Sequence, residues 1–255
     1  MTRISPQVPR SSLPEYAHPP IVAATLGVFF RHPRAIFETG LKEYQERLGP
    51  EWLGEWEEVA ADAAVPSADF GLTTSGRQLK NVLSDRAVRV DALHFAFTWL
   101  GTADARYPRY ENLRDGFVAA WDLWAEQNHL STADLCKWGV RYLNQIPQGT
   151  VWQTPADWSF FRLRPVADGL AERMTSARWV LQTRELPEGL AVDWTAASGP
   201  GSLEPPCLWI GLTACGEAGD LLDGMDLGRA MIVQTFSELM SPAANAYWGL
   251  RRREP

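Results

Sequence analysis

YPRYENLRDGFVAAWDLWAEQNHLSTADLCKWGVRYLNQIP, residues 107–147, decides how this chain is built. Tyr110, Leu113, Phe117, Trp121 and Trp124 recur at helical spacing, and a stripe of such large rings has to face a core. Ser131-Thr132-Ala133-Asp134 then breaks the period with turn-forming residues. From Trp138 the period becomes two, with Trp138, Val140 and Tyr142 on one face and Arg141 and Leu143 on the other. A long amphipathic helix therefore leads through a short turn into a buried strand.

Towards the N-terminus, residues 1–18 are rich in Pro, Ser and Arg without a period and read as a flexible arm. After Pro19-Pro20, the apolar run Ile21–Phe30 has the length of a strand covered on both faces. Pro33 opens a helical pattern through Ile36, Phe37, Leu41, Tyr44 and Leu48, which Gly49-Pro50 ends. The acidic, Ala-rich stretch 51–69 carries Glu51, Glu55, Glu57 and Glu58. It lacks the spaced ligand set of a calcium loop and reads as a solvated face. Residues 77–99 read as two strands of a meander, the second with Leu93, Phe95, Phe97 and Trp99 opposite His94, Ala96 and Thr98.

Beyond Pro147, residues 148–157 read as a linker. Strand patterns follow at 160–165, 177–185, 190–197 and 208–214, separated by Pro187-Glu188-Gly189 and Gly199-Pro200-Gly201 turns. Residues 219–224 read as a loop with Asp226 as N-cap. A last helix then places Met231, Ile232, Phe236 and Leu239 inward, and Ser241-Pro242 ends or kinks it. Both halves run strands in a meander and then a long amphipathic helix. The expected fold is α+β: two antiparallel β-meander subdomains, 19–147 and 158–255, each packed by a helix and together forming a pseudo-repeat. No residue-level repeat accompanies it.

The 45% apolar and 22% charged content of the 255 residues is that of a folded globular protein. A net charge of −7 disfavours nucleic acid as a partner, since phosphate contacts need clustered Lys and Arg. Arg162, Arg164, Arg173, Arg178 and Arg184 form a local basic concentration and read as solvated strand and loop positions. Three irregularly spaced cysteines fit a reducing compartment. No apolar run reaches membrane-helix length and the start has no signal-peptide pattern, so the expectation is a cytoplasmic protein without a membrane partner. Twelve tryptophans are the oddity. They build either a bulky core or an aromatic binding surface, and core is the default.

Catalytic signatures are missing: no GxSxG, HExxH, P-loop or strand-following GxGxxG occurs. Asp220, Asp223 and Asp226 recur every three residues, but they stand where a helix begins, and the helix dipole favours carboxylates there. No catalytic residue, metal or cofactor is assigned. What remains is the polar content of the central stretch: Tyr107 and Tyr110 at the helix entry, and Arg141 and Asn144 on a strand otherwise made for burial. A buried guanidinium needs partners, so Arg141 is either an internal anchor or a ligand contact.

Five segments in order carry a resemblance: Pro19-Pro20-Ile21-Val22, Phe95–Trp99, Tyr107-Pro108-Arg109-Tyr110 leading to Phe117, Arg141-Tyr142-Leu143-Asn144, and Phe236-Ser237-Glu238-Leu239 with Tyr247-Trp248-Gly249. In these the chain resembles a sporadically distributed, functionally uncharacterised family of bacterial and archaeal proteins found in mobile gene neighbourhoods. It departs from that pattern twice. Relatives tend to have Asn-Trp-Arg where Thr98-Trp99-Leu100 stands, and often a His where this chain has Arg229.

Two functions follow as expectations. One is a non-enzymatic protein-interaction component, an antitoxin-like, immunity or accessory partner of an effector encoded nearby. The other is a small-molecule-binding protein or enzyme with an anion-binding pocket between the halves, lined by Tyr107, Tyr110, Arg141 and Asn144. Nucleic-acid binding is a distant third.

Overall fold

The computed structural model describes residues 13–59, 75–101, 107–154, 157, 176–181, 190–197 and 207–251. In chain order the elements are β1 (Glu15–Tyr16), β2 (Ile21–Phe30), α1 (Glu38–Leu48), β3 (Glu57–Val59), β4 (Gly76–Lys80), β5 (Arg86–Asp91), β6 (His94–Leu100), α2 (Tyr110–Gln127), β7 (Leu135–Pro147), β8 (Ser176–Leu181), β9 (Leu190–Ala197), β10 (Cys207–Glu217), α3 (Leu221–Leu239), α4 (Pro242–Tyr247) and β11 (Leu250–Arg251). The chain is α+β.

Nine strands form one antiparallel sheet in the order β3-β4-β5-β6-β2-β7-β10-β9-β8, and β1 pairs separately with β11. The duplicated plan is visible in that order. In the first half β2 pairs with the last strand of its meander, β6, and α2 follows; in the second β7 pairs with β10, and α3 follows. The halves join through an antiparallel β2–β7 ladder in which Gly27 faces Gly139. The residues around this centre match across the halves, Leu26-Gly27-Val28 against Trp138-Gly139-Val140. The two meanders are thus fused into one sheet, because their innermost strands satisfy each other's backbone groups.

Alternation along the sheet gives one face to both helices. Under α2, Phe95 lies with ring centroids 5.4 Å from Trp121, 6.0 Å from Trp124 and 6.3 Å from Phe117, in edge and offset geometries that aromatic pairs favour. Tyr44 brings α1 onto this cluster, its hydroxyl donating to the Ala120 carbonyl at 2.9 Å. Under α3, Trp138 occupies a socket floored by Gly216, Gly224 and Gly228. Each helix therefore carries glycine where a sheet aromatic rises into it; Gly116 does the same for Phe97.

Several expectations need correction. The described part of the arm, 13–18, is docked: Tyr16 is buried and donates to Asn245 Oδ1 at 2.7 Å, joining the first residues to α4. The boundary at 147/158 does not separate domains. β7, assigned to the first half, bonds β10 along eleven residue pairs and opens the second half of the sheet. In the stretch taken as linker, Trp152 is buried and donates to the Ile146 carbonyl at 2.9 Å. Residues 77–99 hold three strands in place of two, because the turn at Ala92-Leu93 falls inside the apparent alternation. Asp220 caps α3 in place of Asp226, accepting from the Asp223 amide at 3.3 Å, so 221–224 are helical. The strand expected at 160–165 and the arginines at 162, 164, 173 and 184 lie outside the described residues, and for Arg178 only the backbone is described.

No helix among the described residues is long and apolar enough to cross a membrane.

Candidate functional site

Between the entry of α2 and the middle of α3, over the paired ends of β2 and β7, lies a cleft of about 330 Å³. Both halves contribute to it: Tyr107, Arg109 and Tyr110 from the first, Tyr142, Arg229 and Val233 from the second, with 13–16 along one rim. Tyr107-Pro108 leads into the helix, and Arg109 at its N-cap has φ +73°. That left-handed conformation is uncommon for a residue with a side chain. It accompanies an ion pair of the Arg109 guanidinium with Glu15 at 3.1 Å.

The phenols form a linked set. Tyr107 and Tyr142 share a hydrogen bond of 2.7 Å, and the Tyr107 ring stands edge-on to Trp99 and Tyr142. Tyr110 donates to Asp226 Oδ1 at 2.8 Å, and the same carboxylate receives Arg114 Nε at 3.1 Å. Burial pushes all three phenols above the usual tyrosine range; for Tyr110 the Asp226 carboxylate adds to this, and for Tyr107 the neighbouring Tyr142 does. They therefore stay protonated at neutral pH and act as neutral donors and acceptors.

Arg229 completes the cleft. Its guanidinium lies 5.5 Å from the Tyr110 ring centroid, a placement that gains from the ring quadrupole, and its charge offsets part of the effect of burial on the Tyr142 phenol. Its Nε is buried without a hydrogen-bond partner, and it forms no ion pair with a carboxylate among the described residues.

Of the four candidate residues, the structure brings Tyr107 and Tyr110 together here and leaves Arg141 and Asn144 elsewhere. Arg141 adjoins Tyr142 in the strand and so points to the opposite face of the sheet. There it is 4% exposed and donates to Thr213 Oγ1. It stands in a row across four strands, Thr98–Thr25–Arg141–Thr213, in which the first two hydroxyls are bonded at 2.9 Å. Asn144 is buried and donates to the Ile210 carbonyl at 3.1 Å. Arg229 was met in the sequence only as a departure from the relatives' pattern. Its signal is a helical face, Asp226, Arg229 and Val233, on which one cation sits among core positions.

A second feature lies at the far end of the first meander, where Leu53, Val82 and Leu83 are 74%, 59% and 72% exposed. They are held in place from below. Gln45 Nε2 donates to the carbonyls of Trp52 and Gly54, both at 2.7 Å, and the Val82 amide donates to the Glu51 carbonyl at 2.8 Å. Trp52 is buried beneath, 6.3 Å from the Phe97 ring. Asn81 builds the neighbouring turn. Its buried Oδ1 accepts from the Asp85 and Arg86 amides at 3.1 and 3.0 Å while its Nδ2 donates to Asp85 at 2.7 Å. Asn81→Ala strands those two amides and should lower stability by about 1–2 kcal/mol, read as a shift of the urea midpoint. In the segment that carries Leu53, Glu51, Glu55, Glu57 and Glu58 are all exposed, and Lys80 meets Glu57 at 3.3 Å.

Seven tryptophans, Trp52, Trp99, Trp121, Trp124, Trp138, Trp152 and Trp248, are core residues at 8% exposure or less. No group of His, Cys, Asp or Glu among the described residues has a metal-binding arrangement. In comparisons with known proteins, the chain matches no protein-family model and no curated protein.

Proposed function

We propose that this protein is a non-enzymatic interaction component, an antitoxin-like, immunity or accessory partner of an effector, acting in the cytoplasm. The observation that carries the reading is the apolar group Leu53, Val82 and Leu83, exposed and yet fixed by the Gln45 and Asn81 hydrogen bonds. Large apolar side chains carried on a fixed backbone contribute to association at a reduced ordering cost. The exposed carboxylates of Glu51, Glu55, Glu57 and Glu58 flank Leu53 in sequence, and the chain as a whole carries −7. Such a surface is complementary to a protein with an apolar patch in a basic rim, and the opposite charges speed their encounter. The partner is therefore a basic protein. The resemblance to proteins of mobile gene neighbourhoods and three cysteines that form no disulfide support the same reading.

The test pairs capture with a surface variant. Tagged wild-type protein should recover a stoichiometric basic partner from the native host, and Leu53→Asp/Leu83→Asp should weaken that purified complex at least tenfold at unchanged Tm. A complex that the double variant forms equally well, or the recovery of no stoichiometric partner, would sink the proposal.

A further inference from the structure

From the cleft between the halves we infer a second, independent site: a binding site for a small organic oxyanion, a carboxylate or phosphate carried on an apolar or aromatic body, with Arg229 as its anchor. The argument begins with charge accounting. Of the cleft's cations, Arg109 is matched by Glu15 at 3.1 Å, and the adjacent Arg114 is matched by Asp226 at 3.1 Å. Among the described residues Arg229 has the Tyr110 ring and the Tyr142 phenol, neither of which neutralises it. A guanidinium has five N–H donors in a planar fork that suits the two oxygens of a carboxylate or phosphate. Here at least the buried Nε has no acceptor, and a buried donor without one is a cost that an incoming anion removes.

The phenols add a donor. Tyr107 and Tyr142 carry two hydroxyl protons between them, and the 2.7 Å bond they share uses one. The other remains for a further acceptor, and with its raised pKa the pair does not ionise to repel an anion at neutral pH. The remaining lining sets the body of the ligand. Leu13, Pro19, Ile21 and Val233 with the tyrosine rings offer apolar contact, and about 330 Å³ accommodates a compact molecule. Glu111, exposed in the first turn of α2, also borders the cleft and disfavours a ligand with a second negative charge on that side.

Benzoate, phenyl phosphate and inorganic phosphate are the probes, titrated into the full chain with saturation-transfer NMR and calorimetry as readouts. At least one of the two aromatic anions should bind with saturation, and which one does identifies the head group. Its affinity should exceed that of inorganic phosphate, because the apolar walls contribute. Arg229→Gln should weaken binding at least tenfold and Tyr107→Phe several-fold, while Leu53→Asp/Leu83→Asp leaves it unchanged, which separates this site from the protein-partner surface. Should Arg229→Gln not fold, Tyr107→Phe removes one hydroxyl alone and decides the matter. Absence of saturable binding by both aromatic anions, or binding that folded Arg229→Gln and Tyr107→Phe leave at wild-type affinity, overturns the inference.

Discussion

Trp138→Ala should cost about 3–5 kcal/mol of stability, the range for deleting a large buried aromatic side chain, and lower Tm by roughly 10 °C in a chain of this size. The indole is 2% exposed at the centre of the sheet. Its surroundings place the expected loss at the upper end of the range. The socket is made of backbone, and Gly216, Gly224 and Gly228 have no side chains that can swing in to fill the void. The same geometry reverses an ordinary rule. Ala is favoured over Gly within a helix by about 1 kcal/mol, yet a Cβ at Gly228 would stand 2.6 Å from Trp138 Cζ3, and one at Gly224 would stand 2.3 Å from Nε1. Gly228→Ala alone should therefore destabilise, and in the Trp138→Ala background it should stabilise, since the new methyl then enters the cavity. Urea denaturation of the two single variants and the double variant measures this coupling. Additive effects would show that α3 can shift away from the sheet.

How far the sequence discloses such features depends on whether they are periodic. The helix–turn–strand at 107–147 is legible because its apolar spacing changes from 3.6 to 2 at a run of turn formers, and the structure places α2, a 3₁₀ turn and β7 there. Likewise, strands followed by a helix in each half disclose α+β. The fusion into one sheet is not legible, since backbone hydrogen bonds between Gly27 and Gly139 leave no trace in side-chain pattern. Neither is the cap of α3: Asp220, Asp223 and Asp226 are spaced alike, and only geometry tells the cap from the carboxylate that Tyr110 and Arg114 share. Tyr107 and Tyr110 were found as candidates because Tyr-Pro-x-Tyr marks the helix entry. Arg229 escapes such a reading because the rings it meets, Tyr142 and Tyr110, lie 87 and 119 positions earlier by residue number. Leu53, Val82 and Leu83 escaped because loop residues obey no period.

Arg141→Ala should lower stability by about 3 kcal/mol and leave anion binding in the cleft within twofold of wild type. The sequence allows two roles for this residue, internal anchor or ligand contact, and the two differ in what a variant loses. In the structure its guanidinium is on the sheet face opposite Tyr142, in the row Thr98–Thr25–Arg141–Thr213. Truncation removes a charge-assisted bond to Thr213, of the kind that contributes about 1.5–3 kcal/mol, and leaves a cavity where the aliphatic stem packed. The Thr213 hydroxyl, 7% exposed as a residue, loses that donor as well. Arg141→Met/Thr213→Val should recover part of the loss, because replacing both ends of a buried polar contact by apolar groups of similar shape costs far less than removing one. Chemical denaturation and benzoate or phenyl phosphate titration of the same samples separate the roles. A variant that keeps wild-type stability but loses the anion would make Arg141 the ligand contact. A destabilised variant that still binds assigns the residue to the interior and leaves recognition to Arg229.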